Sequence, residues 1–325
     1  MFGVELTPDH PVDRVAELGV AAEAAGYDTL FVASHYNNRD PFAACARLAA
    51  ETSTVRLGPG VVNPHETHPV RLASQVATVA EASGGRAVLG VGPGDPSTLR
   101  NLGLAGERGL RPVLEAFEVA RRLWAGERVT HDGTFRADDA GLNFEPPGEI
   151  PVYVGGEGPD MCRMAGKRAD GLLFNGSHPA DLAWARERVD EGRAERSSDA
   201  AFDLAAYAAV SVAADAEAAR EAARAPVAFI AAGAAPPVLE RHGVDRAVAA
   251  AVGEDISAGR FSEAFDRVTP AMLDAFAAAG TVDDVATRLE ALLEHADSVV
   301  VGSPVGPDVE TGLELAAAAH ERARS

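Results

Sequence analysis

The stretch VRLGPGVVNP, residues 55–64, joins an apolar strand to a turn that interrupts regular backbone. Its valines and leucine predict a strand over residues 55–62, whereas Gly60 and Pro64 favour tight turns and bulges. An amphipathic segment at residues 69–83 follows and predicts a helix. One strand, one glycine-rich turn and one helix therefore form the unit from which the rest of the chain can be interpreted.

Strand and helix candidates alternate along nearly the whole chain. The eight strand candidates are residues 2–6, 29–33, 55–62, 86–91, 151–154, 171–174, 202–212 and 298–301. The helix candidates are residues 11–25, 41–50, 69–83, 112–125, 160–169, 179–194 and 309–324. This alternation predicts parallel strands joined by right-handed crossovers, and we predict an α/β fold of the TIM-type (β/α)8 barrel class. An open doubly wound sheet remains the alternative, because periodicity alone does not show closure.

Two insertions interrupt the alternation. Residues 126–150 are predicted to form a loop or small hairpin. Residues of about 215–295 contain several alanine-rich helices between the seventh and eighth strands. Because no linker, repeat or low-complexity tail separates these segments, we predict a single domain over residues 1–325.

The composition indicates an acidic protein of the cytoplasm. The formal net charge is −20, from 49 acidic and 29 basic side chains, and Lys167 is the only lysine. Nucleic acids and anionic membranes are therefore poor partners. No run is long enough to span a membrane, no signal peptide is evident, and Cys45 and Cys162 form no CxxC pair. The acidic balance is typical of a salt-adapted, halophilic archaeal protein, and an acidic protein from a GC-rich organism is the alternative.

Glycine and polar residues follow most of the predicted strands. In a parallel barrel these carboxyl ends meet at one rim, where catalytic loops assemble. Glycine lets backbone N–H groups approach a ligand closely, and successive amides form an anion-binding nest, although glycine also ends strands for structural reasons. We therefore predict a large ligand at this rim. The segment GVGPGD, residues 90–95, lacks the third glycine of a dinucleotide fingerprint, which disfavours a nicotinamide site.

Glu5 is the candidate catalytic residue. Residues Phe2, Val4 and Leu6 share one face of the first strand, so Glu5 and Thr7 share the other. If the apolar face packs on the outer helices, Glu5 points inward near the rim. A carboxyl group in a desolvated position tends to hold its proton, which suits a general acid. A glutamate in a solvated salt bridge is the alternative.

Several motifs together resemble one enzyme family. They are FGVEL, SHYNN, RLGPGVVNP, GRAVLGVGPGD, PVYVGGEGP, VAFIAAG…PPVLERHG and VVGSPVGPD. In this order they are similar to the methylenetetrahydromethanopterin reductases of the bacterial luciferase-like superfamily, and the resemblance runs end to end. It implies a TIM-type barrel and the deazaflavin coenzyme F-420, with reversible hydride transfer to a 5,10-methylene-tetrahydropterin that yields the 5-methyl form. Glu5 matches the acid of this family that protonates N10 as the imidazolidine ring opens.

The resemblance also implies the residues around the coenzyme. They are His35, Gly60, Val61, Asn63, Gly92, Gly94, Asp95, Gly156, Gly158, Asn175 and Gly176. A non-prolyl cis peptide bond at Gly60–Val61 is implied behind the deazaflavin ring, where Gly60 has no Cβ to clash with the ring. An all-trans bulge is the alternative. Tyr207 is either a substrate contact or a core residue.

Some features depart from the family or leave choices open. Ser34 stands where relatives carry an acid, and HETHP at residues 65–69 is unusual. No metal site is predicted, because no partner set accompanies these histidines. The substrate is tetrahydromethanopterin or tetrahydrofolate, and the resemblance implies a homodimer or homotetramer. The alternatives are another luciferase-like oxidoreductase or monooxygenase that uses a deazaflavin or FMN, and a coenzyme-binding protein without catalysis.

Overall fold

The computed structural model describes residues 1–104 and 109–325, which fall into two compact units. Unit 1 consists of Met1–Phe174 and Ala185–Ala205, and unit 2 consists of Asn175–Trp184 and Ala206–Ser325. The prediction of a single domain stays a prediction. Three elements, at residues 171–175, 179–193 and 203–212, contribute residues to both units.

Unit 1 contains most of the predicted strand and helix pairs. Its strands are β1 (Phe2–Leu6), β2 (Thr29–Val32), β3 (Arg56–Pro59), β4 (Leu89–Val91), β5 (Val129–Asp132), β6 (Arg136–Ala140), β7 (Val152–Gly155) and β8 (Gly171–Asn175, its last residue in unit 2). Its helices are α1 (Val12–Ala24), α2 (Pro41–Glu51), α3 (Pro69–Ser83), α4 (Pro96–Asn101), α5 (Leu110–Trp124) and α6 (Pro159–Arg168). Helix α4 was not predicted, and β5 and β6 lie in the segment predicted as a loop or small hairpin; the other elements were predicted to within a few residues.

Six of the strands of unit 1 pair in parallel and in chain order, whereas β5 and β6 form an antiparallel pair. Strands β1, β2 and β3 are neighbours, and so are β4, β7 and β8. Parallel bridges from Leu57 to Ala87 and from Val62 to Val91 join the β3 segment to the β4 segment. The predicted parallel arrangement is therefore confirmed for these six strands. Their carboxyl ends lie at one edge, where the glycine-rich turns begin.

One face of this sheet carries Glu5 and two aromatic rings. Glu5 pairs in register with Phe31 of β2, so both side chains lie on the same face. The fully buried Phe31 ring meets the ring of Tyr153 edge to face, with 6.1 Å between centroids. Tyr153 donates a hydrogen bond of 2.8 Å to Asp203. A Cβ on Gly171 would lie 2.3 Å from the Tyr153 ring, so glycine makes room for it.

Arg86 lies at the amino-terminal ends of the strands, away from the glycine-rich turns, and forms hydrogen bonds with several segments there. Its guanidinium donates to the carbonyl oxygens of Ala49, Thr52, Val55 and Ser83 at 2.7–3.1 Å. It also donates to the hydroxyl of Thr52 at 3.0 Å. Arg86 therefore holds the end of α2 and the loops before β3 and β4 in one hydrogen-bonded group.

The β5–β6 hairpin is the predicted insertion at residues 126–150, and two side chains hold it. His68 accepts a hydrogen bond from the backbone of Val70 through Nδ1, so its Nε2 donates to the carbonyl of Arg136 at 3.0 Å. Glu115 accepts from the backbone N–H of Thr134 at 2.7 Å. The unusual HETHP segment therefore caps helix α3 and anchors the hairpin.

Unit 2 contains the helical insertion. Its strands are β9 (Asp203–Val212, its first three residues in unit 1), β10 (Ala278–Gly280) and β11 (Ser298–Val305). Its helices are α8 (Ala216–Gly233), α9 (Pro236–Arg241), α10 (Arg246–Ser257), α11 (Phe261–Asp266), α12 (Pro270–Phe276), α13 (Val282–Leu293) and α14 (Val309–Ala323), and α7 (Pro179–Arg193) begins in this unit. Buried side chains such as Val227, Val252 and Met272 form the core of the insertion. Strand β10, which pairs in parallel with β9, was not predicted.

Candidate active site

Glu5 lies in the second half of β1 with its carboxyl group partly exposed. The Thr7 hydroxyl donates a hydrogen bond of 2.9 Å to Oε1 of Glu5. Thr7 lies two residues further along the strand, so the two side chains share a face. This contact positions one carboxyl oxygen, and the Glu5 residue is half-buried. The arrangement fits a side chain that exchanges protons with a bound molecule.

His35 lies in an exposed turn after β2. The carbonyl of His35 accepts a hydrogen bond of 2.9 Å from the N–H of Asn38, which closes the turn. Arg39 then donates to the carbonyl of Asp9 at 2.7 Å and so ties this turn to the loop after β1. His35 therefore lies at the carboxyl edge of the sheet, in a turn that is tied to the loop after β1.

The Gly60–Val61 peptide bond is cis, and Val61 is partly exposed. A Cβ on Gly60 would lie 2.6 Å from Cβ of the buried Phe31. Packing against Phe31 therefore requires glycine at this position, and the expectation that it also spares the coenzyme stays a prediction. The Val61 methyl groups lie beside Gly92 and Gly155, where an added Cβ would approach them to 2.8 and 3.0 Å. The turns after β3, β4 and β7 thus meet around Val61.

Asn63 organises the turn that follows Val61. Its Oδ1 accepts hydrogen bonds from the backbone N–H groups of His65 at 3.1 Å and Glu66 at 3.0 Å. Its Nδ2 donates to the Glu66 carboxylate. Gly94 has a φ of +80° and faces the Asn63 side chain. The Asn63 amide is thus engaged within the protein, and its contact with a coenzyme stays a prediction.

Asp95 caps helix α4. Its carboxylate accepts hydrogen bonds from the N–H of Thr98 at 2.7 Å and from the Ser97 hydroxyl. Burial alone would raise the pKa of Asp95, but these hydrogen bonds outweigh it and hold the pKa below its usual value. Asp95 is therefore an anionic helix cap, and a direct coenzyme contact by this residue stays a prediction.

The turn from Gly156 to Gly158 leads into helix α6. A Cβ on Gly156 would lie 2.3 Å from Cγ of Met161, so glycine there serves local packing. A Cβ on Gly158 would meet nothing within 4 Å, and α6 begins at Gly158 without a side-chain cap. The first amides of an uncapped helix suit a phosphate, although Asp160 in the first turn already complements the helix dipole.

The backbone N–H groups of four predicted glycines do not form the expected free nest. Each donates instead to a carbonyl oxygen of the protein. The pairs are Gly60 to Val32, Gly92 to Val62, Gly156 to Leu173 and Gly176 to Tyr207. These four N–H groups are therefore engaged within the protein, and Gly92 and Gly176 are buried, which corrects the expectation of an open nest at these positions.

Unit 2 brings two of the predicted residues together. The N–H of Gly176 donates to the Tyr207 carbonyl at 3.2 Å, and Asn175 is exposed beside it. A Cβ on Gly302 would lie 3.5 Å from the Tyr207 ring, so the ring packs along β11. Tyr207 is partly exposed, and its role as substrate contact stays a prediction.

The surface around Val61 fits a flat ring system. Gly92 and Gly155 present backbone there, Gly158 opens the neighbouring turn, and Glu5 lies on the same sheet. The sequence did not reveal the hydrogen bond between Thr7 and Glu5, although their shared strand face was a signal. The sequence also gave no indication of the hydrogen bond between Tyr36 and Asn101, which lie 65 residues apart in the chain.

Metal and thiol chemistry have no evident site in the part of the chain that the structure describes. Within residues 1–104 and 109–325, no group of three or more His, Cys, Asp or Glu side chains is placed to hold a metal ion. Burial raises the pKa of both thiols, Cys45 and Cys162, which are unpaired. In the same ranges no helix has the length and apolar character needed to cross a membrane.

Comparisons with known proteins agree on one family. A family profile described as luciferase-like monooxygenase matches residues 2–297. The chain is 42% identical to 5,10-methylenetetrahydromethanopterin reductase of Archaeoglobus fulgidus, covering 97% of this chain and 96% of that protein. It is 39% identical to the Methanolobus tindarius protein of that name, with 97% of each covered.

A solved structure gives the same answer for the fold. The coenzyme F420 dependent tetrahydromethanopterin reductase from Methanopyrus kandleri superposes with a TM-score of 0.89 at 35% identity, covering 97% of this chain and 96% of that one. This similarity confirms the predicted TIM-type (β/α)8 barrel class with its helical insertion.

Proposed function

Because the chain belongs to the luciferase-like monooxygenase family and, within it, to the 5,10-methylenetetrahydromethanopterin reductases, we propose that it is an oxidoreductase that uses coenzyme F-420. It transfers hydride between reduced coenzyme F-420 and a 5,10-methylene-tetrahydropterin and forms the 5-methyl product. The observation that carries the proposal is the position of Glu5. Its carboxyl group lies on the sheet face that leads to the Val61 surface, oriented by the Thr7 hydroxyl.

The protein residues supply binding and proton transfer. Reduced coenzyme F-420, when bound, supplies the hydride. The Glu5 carboxyl group donates a proton to N10 of the substrate as the bond between N10 and the methylene carbon breaks, which leaves an iminium at N5. Addition of hydride to that carbon completes the N5-methyl group, and the Glu5 carboxylate recovers a proton from solvent. In the reverse direction the same carboxylate accepts the proton from N10.

The coenzyme surface rests on residues from several turns. Val61 and the backbone of Gly60, Gly92 and Gly94 would support the ring, and the first amides of α6 would receive the phosphate. His35 would border the ring from the turn after β2. These assignments, with those of Asn63, Asp95, Gly156, Asn175, Gly176 and Tyr207, are proposals supported by family membership and by position at the strand ends.

The decisive assay uses reduced coenzyme F-420 with methylene-tetrahydromethanopterin and with methylene-tetrahydrofolate. It is run in dilute buffer and in molar KCl, because the net charge of −20 is the feature we attribute to salt adaptation. Turnover of either pterin supports the proposal and identifies the substrate. Inactivity on both contradicts it and favours a different luciferase-like enzyme or a coenzyme-binding protein, and FMN is the control cofactor.

The cellular location and the oligomeric state are further proposals. We propose a cytoplasmic enzyme, supported by two buried cysteines that form no disulfide. We also propose a homodimer or homotetramer, supported by family resemblance alone. Light scattering coupled to size-exclusion chromatography in molar KCl tests the assembly, and a monomer at micromolar concentration would contradict it.

A further inference from the structure

Tyr36 is an exposed aromatic residue in the turn after β2, next to His35. It keeps 46% of its surface exposed, whereas Phe31 on the strand before it is fully buried. Single exposed apolar residues are common on protein surfaces, so exposure alone indicates nothing. A tyrosine that is exposed and also fixed in position is different, because a rigid aromatic side chain binds a ligand at low entropic cost.

The Tyr36 ring is fixed from two sides. The turn that contains it is closed by the hydrogen bond from Asn38 to His35 and tied to Asp9 through Arg39. On the other side, its phenol oxygen accepts a hydrogen bond of 3.1 Å from Nδ2 of Asn101 at the end of α4. The ring is therefore held in place without being buried, which is the arrangement of a preformed contact surface.

This hydrogen bond spans the turn that carries Val61. Strand β3 lies between β2 and β4, and the bond joins the loop after β2 to the helix after β4. Leu102, the residue after Asn101, is 41% exposed. Tyr36 and Leu102 thus offer exposed apolar surface on both sides of the turn where the coenzyme ring is placed by the proposed function.

We propose that Tyr36, positioned by Asn101, is a specificity-determining residue that stacks on an aromatic ring of the tetrahydropterin substrate. The inference rests on the proposed function and adds a residue on the substrate side of the same site. The substrate has two planar groups, the pyrimidine ring of the pterin and the aryl ring that carries N10, and both present a π face. Offset stacking of such a face on tyrosine is favourable and depends on the ring rather than on the hydroxyl.

Four variants distinguish the contribution of the Tyr36 ring from that of the Asn101 hydrogen bond that positions it. Tyr36→Ala and Tyr36→Leu remove the aromatic face, Tyr36→Phe retains it, and Asn101→Ala removes the hydrogen bond that positions it. We expect the KM for the methylene-pterin to rise about two- to tenfold in the Ala and Leu variants and less in the Phe and Asn101 variants. The dissociation constant for coenzyme F-420, measured separately by fluorescence titration, stays at the wild-type value. Phe261→Ala, which removes another exposed aromatic ring, is the control.

Substrate fragments identify which ring is stacked. A tetrahydropterin without the aryl group and a 4-aminobenzoyl compound without the pterin are tested as competitive inhibitors. Tyr36→Ala weakens inhibition by the fragment whose ring lies on Tyr36 and leaves the other unchanged.

Three results would overturn the inference. One is wild-type turnover with an unchanged KM in Tyr36→Ala, which refutes this inference alone. The second is a parallel loss of coenzyme affinity, which would place Tyr36 against the coenzyme. The third is a wild-type enzyme without pterin turnover, which refutes the proposed function as well. If Tyr36→Ala does not fold, Tyr36→Trp keeps a ring, and saturating substrate must change its fluorescence for the inference to stand.

Discussion

His242 Nε2 lies 2.8 Å from Oδ2 of Asp181, and Arg241 contacts the other carboxylate oxygen. Asp181 is 5% exposed, and the Arg241 guanidinium also lies 5.3 Å from the centroid of the Trp184 ring. Arg241 and His242 of the PPVLERHG motif therefore connect the end of helix α9 to the first turn of helix α7. Burial alone would raise the pKa of Asp181, but its hydrogen bonds with His242 and Arg241 hold the pKa below the usual value.

Replacing Asp181 by Asn is expected to destabilise the protein, because Arg241 and His242 lose a charged partner in a mostly buried site. Loss of one partner of a buried pair costs about 3 kcal/mol in the free energy of unfolding. Urea unfolding followed by circular dichroism at pH 7 measures the change. Glu187→Gln on the same helix removes a carboxylate that is 68% exposed and should change stability little. Equal effects of the two variants would show that the Asp181 contacts do not stabilise the fold.

Glu5→Gln is expected to remove the proton donor while preserving the shape of the site. General acid catalysis contributes roughly 10²–10⁴-fold, so kcat for methylene-pterin reduction should fall by that order. Coenzyme affinity should not change, since the coenzyme is assigned to other residues. Glu17→Gln, a change on the exposed surface of α1, is the control. A Glu5→Gln enzyme that retains most of its activity would refute the assigned role.

Gly60→Ala is expected to destabilise the sheet through Phe31. The new Cβ would lie 2.6 Å from Cβ of Phe31, which is fully buried and has no room to move. Overpacking of this kind costs about 1–3 kcal/mol, visible as a lower midpoint of thermal unfolding. Gly158→Ala is the matched control, because its Cβ meets no atom within 4 Å. If both variants unfold at the wild-type temperature, the contact with Phe31 does not explain the glycine.

A fall in pH is expected to weaken the hydrogen bond by which Glu115 holds the β5–β6 hairpin. Burial alone would raise its pKa, but hydrogen bonds from Arg111 and Thr134, with the His131 ring at 3.2 Å, lower it to about 2. Because the folded-state pKa is depressed, the stabilisation is present above about pH 4.5 and is lost as the pH falls toward 2. We expect Glu115→Gln to lower the free energy of unfolding by roughly 2 kcal/mol at pH 7, after allowance for screening.

The measurement for Glu115 compares unfolding of wild type and variant at pH 7, 5, 4 and 3. The difference between them should narrow below about pH 4.5, as the wild-type carboxylate takes up its proton. Glu118→Gln, which removes a more exposed carboxylate from helix α5, controls for the loss of charge. A constant difference across this range would contradict the assignment of the acid effect to Glu115.

The sequence predicted local elements well, whereas contacts between residues far apart in the chain could not be predicted from it. Strand β1 was predicted at its observed bounds, because alternation from Phe2 to Leu6 is a local pattern. Strand β10 was missed, since Ala278–Gly280 lacks the β-branched residues that indicate a strand. The contact of Gly60 with Phe31 could not be predicted, because Phe31 belongs to another strand. The partners of Arg241 could not be predicted either, as Asp181 lies 60 residues away.

The hydrogen bonds of Arg86 have a consequence for the dependence of stability on salt concentration. Every acceptor of its guanidinium is a carbonyl or hydroxyl oxygen without formal charge. Mobile ions weaken attraction between opposite charges, but they have little effect on a short bond to a neutral dipole. The hydrogen bonds that Arg86 makes at the end of the sheet remote from Glu5 are therefore expected to weaken little as the salt concentration rises.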